Sequence, residues 1–536
     1  MELSVSSIVE HDPHGAPLGN AARSQERPLR RLCVLVLAIL GVGSPACVTA
    51  QETAAVRAFR SLPPRSPVDD RDRALAAAPT PLSDFAALVR AAVTRSPALD
   101  AAWYEAQAAT LGIAGTRRMP NPRVSLTAFV LPVETRVGPQ RLRVGASQVF
   151  PWPSKLTSAA DAASARAAVA RKRFELAHAQ LVRALRVPWI ALAERSASAD
   201  LIRAQAEVVA QIRSLTELRS ATTKTSYGAI TQLALREEEL RERARSFDDQ
   251  ATALGHRVRA LAHLPAESVL PPATLDDATM VGELPANLTS ATHASPAVGT
   301  AQAELNAAEA QRIAAGTRGG PDFDVAAMWT YVGDPLATGV PDAGQDVVAI
   351  TFGVRIPLWQ SAYDADEAAA VARREAASAR VAALEDATRS QVYELAQQLE
   401  TARRKIALYE TQMTPGAESV LRFAVEAYGA GEGTLDAVLR LETQLIGYRL
   451  VAVRARASAL DGAAKLAFHF ASLTKKRENA LRAFPTAAGQ RIRSASPRSK
   501  RPDSWPRRAR ARRAAWAFPD ESRGTPDAAR DPAVTR

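Results

Sequence analysis

The chain has 536 residues, 47% of them hydrophobic but only 5% aromatic, with alanine prominent. That mix suits long, closely packed helices better than a bulky globular core. The formal charge of +12 gathers at one end: 17 Lys/Arg stand against 6 Asp/Glu from Lys475 onward, so the body is close to neutral and no nucleic-acid partner is expected for it.

The N-terminus reads as an export signal. Arg27, Arg30 and Arg31 precede an apolar run from Leu32 to Val42, and Val48 and Ala50 are placed for cleavage before Gln51. Both cysteines, Cys33 and Cys47, fall in this region, 1–50, so the mature chain has no disulfide or thiolate site. Cys47, in S-P-A-C, is a candidate lipidation site, although Ser44 stands where an aliphatic residue is expected. Residues 51–80 are rich in Pro, Arg, Asp and Ala without periodicity and read as a linker.

A first structured unit spans 81–265. Ser83 is placed to cap a short helix with Phe85, Leu88 and Val93, and S-P-A-L at Ser96 opens a helix to about Arg118 with Pro97 at its first position. Arg123 to Leu131 then alternates, with Val124, Leu126, Ala128 and Val130 on one face. Arg141 to Phe150 alternates again through Leu142, Val144 and Ala146, and F-P-W-P-S-K closes this β-hairpin. From Ser154 to Ser220 there is no glycine and one breaker, Pro188, so a single long, kinked helix is expected, with Leu201, Val208 and Leu215 as its seam. A turn near Thr222 to Gly228 leads to a return helix bearing R-E-E-E-L-R-E-R-A-R, which reads as a solvated face.

After a Pro-rich linker, 266–290, residues 291–470 repeat this order. S-P-A-L at Ser96 returns as S-P-A-V at Ser295, G-T-R at Gly115 returns at Gly316, and Y-G-A at Tyr227 returns at Tyr428. The second hairpin is the clearest. Phe323, Val325, Ala327, Trp329 and Tyr331 share one face, and after a Gly/Pro/Asp-rich turn so do Val348, Ile350, Phe352, Val354 and Ile356, opposite Thr351 and Arg355. Runs of about ten residues with one apolar face have membrane-spanning length. Residues 471–536 are Arg-, Pro- and Ser-rich without apolar period, which predicts a basic, disordered tail.

No P-loop, G-x-S-x-G or H-E-x-x-H occurs. His256 and His263 are one heptad apart but have no third ligand, so no enzyme, cofactor or metal site is expected. The run Y-G-A-G-E-G-T-L-D at Tyr428 lacks the Lys-Ser/Thr of a phosphate loop and reads as a turn between helices.

The export signal, the S-P-A-L helix, P-N-P-R-V-S-L, S-Q-V-F-P-W-P-S-K and the run from Pro415 to Leu445 together resemble the TolC family of outer-membrane efflux proteins, over about residues 81–470. The resemblance implies a mainly α protomer of two tandem repeats, with long coiled-coil helices and four transmembrane β-strands. A homotrimer would then close a twelve-stranded barrel in the outer membrane above a periplasmic α-barrel. It implies a passive exit duct working with a periplasmic adaptor protein and an inner-membrane pump. The helix turns at Tyr227–Gly228 and at Tyr428, Gly429, Gly433 and Asp436 would be the periplasmic tips. Val124, Leu126, Val348, Ile350 and Phe352 would face outer-membrane lipid, with Trp152, Trp329, Tyr331 and Trp359 as interfacial aromatics. The P-W-P-S-K run leans toward a metal-cation branch, with Ser154 in place of glycine; drugs are the other cargo considered. The competing reading is a periplasmic adaptor, which has one helical hairpin flanked by small β domains, whereas two β-hairpins here each precede a long helix pair.

Overall fold

Two Ser-Pro dipeptides start two equivalent runs of structure. The computed structural model describes residues 48–63, 65, 82–220, 227–275 and 289–470, all within the unit Met1–Asn479; the signal region through Cys47 and the tail lie outside the described residues. Helix α1 spans Ala50–Arg60, α2 Phe85–Arg95 and α3 Pro97–Thr116. Strands β1 (Arg123–Thr135) and β2 (Gly138–Pro151) follow, then α4 (Pro153–Ser220) and α5 (Tyr227–Leu261). The second copy begins with a short α6 (Thr289–Ala294) and has α7 (Pro296–Thr317), β3 (Asp322–Val332), β4 (Val347–Arg355) and α8 (Gln360–Leu408). A π-turn at Tyr409–Met413 carries α8 directly into α9 (Thr414–Ala430), and α10 (Leu435–His469) returns.

Pro97 and Pro296 sit at first helical positions, where no intrahelical N–H is needed. Ser96 caps α3 by accepting from the Leu99 amide at 3.3 Å. At α2 the cap is Asp84, which accepts from the Ala87 amide at 2.6 Å, and not the neighbouring Ser83. Helix α4 runs unbroken through Pro188 for 68 residues, a length of about 100 Å. In the second copy Pro415 follows the π-turn by two residues, in the first turn of α9, and the wider winding just before it accommodates the missing donor.

The stretch expected to be a linker after residue 50 contains α1. Thr49 accepts from the Glu52 amide at 3.1 Å, and Phe59 stacks on Trp103 with ring centroids 5.3 Å apart. Leu62 lies in a cluster with Leu99, Trp103 and Phe174. Glu52 pairs with Arg117 at 3.1 Å, and Arg65 with Asp100 at 2.5 Å. The N-terminal segment is thus strapped along α3 and α4. The linker between the repeats is also partly docked, because Leu264, Leu270, Ala273 and Leu275 pack on the cluster around Trp189 and Ile190.

The core follows the helices as a seam. Its largest cluster joins Ile202, Val209 and Ile212 of α4, Leu233, Leu240 and Phe247 of α5, Leu421 and Tyr428 of α9, and Val438, Leu445 and Ile446 of α10. This corrects the expected register on α4. Leu201 and Val208 flank the seam, while Leu215 and Leu218 are exposed. The inward stripe lies one residue later, on Ile202 and Val209. Among the described residues, no helix is long and apolar enough to cross a membrane.

Candidate functional site

All four strands form one antiparallel sheet in the order β1-β2-β3-β4. Directly opposed residues share a face, so the register assigns every side chain. One face carries the rows Val124–Ala146–Ala327–Ile350 and Leu126–Val144–Trp329–Val348. Further rows on that face are Ala128–Leu142–Tyr331 and Phe150–Phe323–Val354. The other face carries Arg123–Ser147–Ala326–Thr351 and Thr127–Arg143–Thr330–Val347. Gln148, beside Val325, is the polar exception on the first face; its amide is buried and donates to the carbonyls of Pro120 (2.9 Å) and Val149 (2.7 Å).

The apolar face is open along its outer strands, β1 and β4. Val124, Leu126, Val348, Ile350 and Phe352 are 50–79% exposed. Their row partners at the centre, Ala146, Ala327 and Trp329, are buried. Aromatics mark both ends of the sheet. Trp152 packs on Phe323 at 5.9 Å, and Trp359 is exposed beyond β4. At the opposite end the Trp329 indole donates to Asp346 at 3.1 Å, beside Tyr331. Lys155, in the P-W-P-S-K run, binds Asp322 at 2.7 Å and so joins the first turn of α4 to the start of β3. β1 and β4 have no strand partner on their outer sides among the described residues.

The far ends of the helices form a second constellation. Helix α9 stops at Gly431, which has φ +90°, and the Glu432 and Gly433 amides both donate to the Ala427 carbonyl, at 3.0 and 3.1 Å. A Cβ at Gly433 would lie 2.9 Å from the Tyr428 nitrogen, so glycine is required there by close approach. Thr434 then caps α10, accepting from Ala437 at 3.3 Å, with Asp436 in the first turn. Gly429, expected to help reverse the chain, lies inside α9 with open space around it; Gly431 and Gly433 make the turn. Tyr227 and Gly228 open α5, and Tyr227 is 84% exposed. Residues 221–226 lie outside the described residues.

The two Y-G-A landmarks stand on opposite sides of their turns. Tyr428 closes the helix before the reversal, is buried, and shares a 3.2 Å hydrogen bond with Thr216 of α4. Burial gives the true equivalence, since Leu233, Glu237 and Leu240 match Val438, Glu442 and Leu445 at a constant spacing of 205 residues. Both glutamates are buried and both are paired. Glu237 accepts from Arg213 at 3.0 Å and also pairs with Arg241. Glu442, with no exposed surface, accepts from Arg236 at 2.9 and 3.2 Å, which ties α10 to α5. Burial pushes the Glu442 carboxyl above the usual carboxylate range, and the Arg236 hydrogen bonds offset only part of that. Glu237 corrects the reading of R-E-E-E-L-R-E-R-A-R as a solvated face. Glu238, Glu239 and Glu242 are exposed, but one carboxylate of the run points inward.

No family model matches the sequence, and no curated protein matches it. Solved structures do match the fold. The outer membrane protein VceC of Vibrio cholerae has a TM-score of 0.58 at 20% identity, covering 72% of this chain and 96% of its own. CusC, from a study of transmembrane channel formation, has a TM-score of 0.57 at 15% identity, covering 72% and 91%. The MtrE outer membrane channel of Neisseria gonorrhoeae gives 0.54 at 18% identity, covering 72% and 88%. The chain carries the TolC-like fold.

Within the TolC-like fold, the parts the sequence did not reveal are polar groups placed by tertiary packing. His469, 4% exposed at the end of α10, is held at a pKa of about 4, first by burial and then by the nearby Arg183 charge. Among the described residues no cluster of three or more His, Cys, Asp or Glu could hold a metal ion.

Proposed function

We propose that the protein is the outer-membrane channel of a tripartite efflux system, a passive duct through which pump substrates leave the cell. The observation that carries this reading is the two-faced sheet with two free edges, set at one end of long paired helices. An apolar face flanked by aromatics suits lipid, and the polar face suits a water-filled interior. Four strands cannot close a spanning barrel, for which about eight is the minimum. In hydrocarbon the free edges of β1 and β4 would leave backbone groups unpaired. Three copies would supply twelve strands and pair every edge, and the helices would extend the duct into the periplasm. The turns at Tyr227–Gly228 and Gly431–Thr434 would then be the ends that meet an adaptor and an inner-membrane pump.

Val124, Leu126, Val348, Ile350 and Phe352 are assigned to lipid contact. Cys47 would be three residues upstream of α1, whose first turn is tied to Arg117 shortly before β1. Membrane fractionation with unheated gels tests the reading. A channel of this kind stays in the outer-membrane fraction and runs as a high-mass, heat-modifiable species. A monomer that leaves that fraction would overturn it and favour an adaptor.

A further inference from the structure

The polar face of the sheet holds an arginine for which packing alone gives no reason. Arg143 lies on β2, half-buried, between Thr127 of β1 and Thr330 of β3. Its Nε donates to Thr330 Oγ1 at 3.2 Å and its Nη2 to Gln140 Oε1 at 3.1 Å, and the guanidinium lies 5.4 Å over the Phe129 ring. These partners are all neutral, and among the described residues no carboxylate forms an ion pair with it. The charge is held in place and not cancelled.

Other charges on this face are Arg123 and Arg355, both exposed near the helical end, and Asp324. Asp322 is there too, neutralised by Lys155. Asp324 occupies a notch made by Gly353, where a Cβ would fall 2.5 Å from the carboxylate. Three arginines thus face one uncompensated aspartate. At the opposite rim Glu134, Asp334, Asp342 and Asp346 stand with Arg136 and with Arg141, which sits at the register shift of β2. Glu134 already accepts from the Leu336 amide, and Asp346 accepts from the Val332 amide and the Trp329 indole.

We propose that Arg143 is a selectivity determinant that biases the interior of the barrel toward anions, opposed by Asp324. The proposal rests on the channel reading. With the polar face inward, three copies would set a ring of Arg143 guanidinium groups partway along the duct, as rings of one sign do in selective pores. The field reaches across a wide lumen only at low salt, because screening length grows from about 8 Å at physiological ionic strength to about 30 Å at 0.01 M.

The test is the reversal potential of the full-length protein in planar bilayers under a dilute KCl gradient. The wild type is expected to favour chloride, Arg143→Gln to move the potential toward that of potassium, and Arg143→Lys, which keeps the charge, to retain the preference. Asp324→Asn should shift the potential the opposite way, and it reads the same axis should Arg143→Gln not assemble. Conductance with no shift in either variant overturns the proposal and leaves the channel reading standing. Absence of conductance from the assembled wild type overturns both.

Discussion

Placing an arginine on each side of β4 at nearly the same height tests the sheet most directly. Ile350 is on the apolar face, 50% exposed, and its neighbour Thr351 projects from the polar face. The strand has nine residues. At a rise of about 3.3 Å each it extends about 30 Å, and a tilt of about 40° leaves about 23 Å of height, close to the apolar band of a spanning barrel. Ile350 and Phe352 each lie one residue from the middle of that span, whereas Val348 is near its end. Ile350→Arg or Phe352→Arg is therefore expected to cost about 2–4 kcal/mol, and Val348→Arg somewhat less, since the penalty falls toward the interfaces. Thr351→Arg, in a row with Arg123 and Ser147, should stay within about 0.5 kcal/mol. Refolding into lipid vesicles across a urea series, scored by the heat-modifiable species, measures the difference. Equal losses at Ile350 and Thr351 would refute the face assignment, and a loss at Thr351 alone would invert it.

Arg236→Gln leaves the fully buried Glu442 without its cation and should destabilise the helical region by about 3–5 kcal/mol, whereas the double variant with Glu442→Gln should recover much of that; additive losses by thermal melting would count against a coupled pair. His469 has its pKa lowered from 6.5 to about 4, so the unfolded chain binds a proton that the folded chain refuses as pH falls between those values. Its contribution is complete above pH 6.5 and lost on approaching pH 4, at most about 3 kcal/mol and less with solvent screening. A His469→Gln protein should lack that part of the stability slope, and an unchanged slope would dismiss the assignment. Gly429→Ala should be neutral or stabilise by up to about 1 kcal/mol as a helix-interior change, while Gly431→Ala should cost about 1–2 kcal/mol because of its positive φ. Equal melting temperatures for the two would show that the turn is not built on Gly431.

The strands were legible because apolar residues recur at period two along most of one face, a pattern hard to imitate by chance. Their ends were less so. β1 continues to Thr135 through Pro132, because an edge strand can lack one donor and the register already shifts between Ala128 and Val133. Helix α1 was missed among Arg and Pro, although T-A-Q-E at Thr49 is a capping-box signature that could have marked its start. The α4 seam was misplaced because bulk singled out Leu201, Val208 and Leu215, whereas α4 packs against both α5 and α10 and buries a stripe between them. The Arg236–Glu442 and Thr216–Tyr428 links join residues more than 200 apart in sequence, and only the rotation of each helix decides which carboxylate of a charged run turns inward.

The free edges of β1 and β4 bear on how the protein is made as well as on what it becomes. If the protein assembles as proposed, each new copy would present two open hydrogen-bonding edges and an oily face at once, a template for any stray strand. Productive joining would then depend on the concentration of like copies, so yield would follow a race between correct encounter and mispairing and not only the stability of the finished assembly. The two faces also provide a check. A junction slipped by one residue would turn every apolar side chain of the incoming strand toward water. Under the proposed assembly, wrong partners would therefore be rejected at each seam before the ring closes, and sidedness would act as a proofreading step.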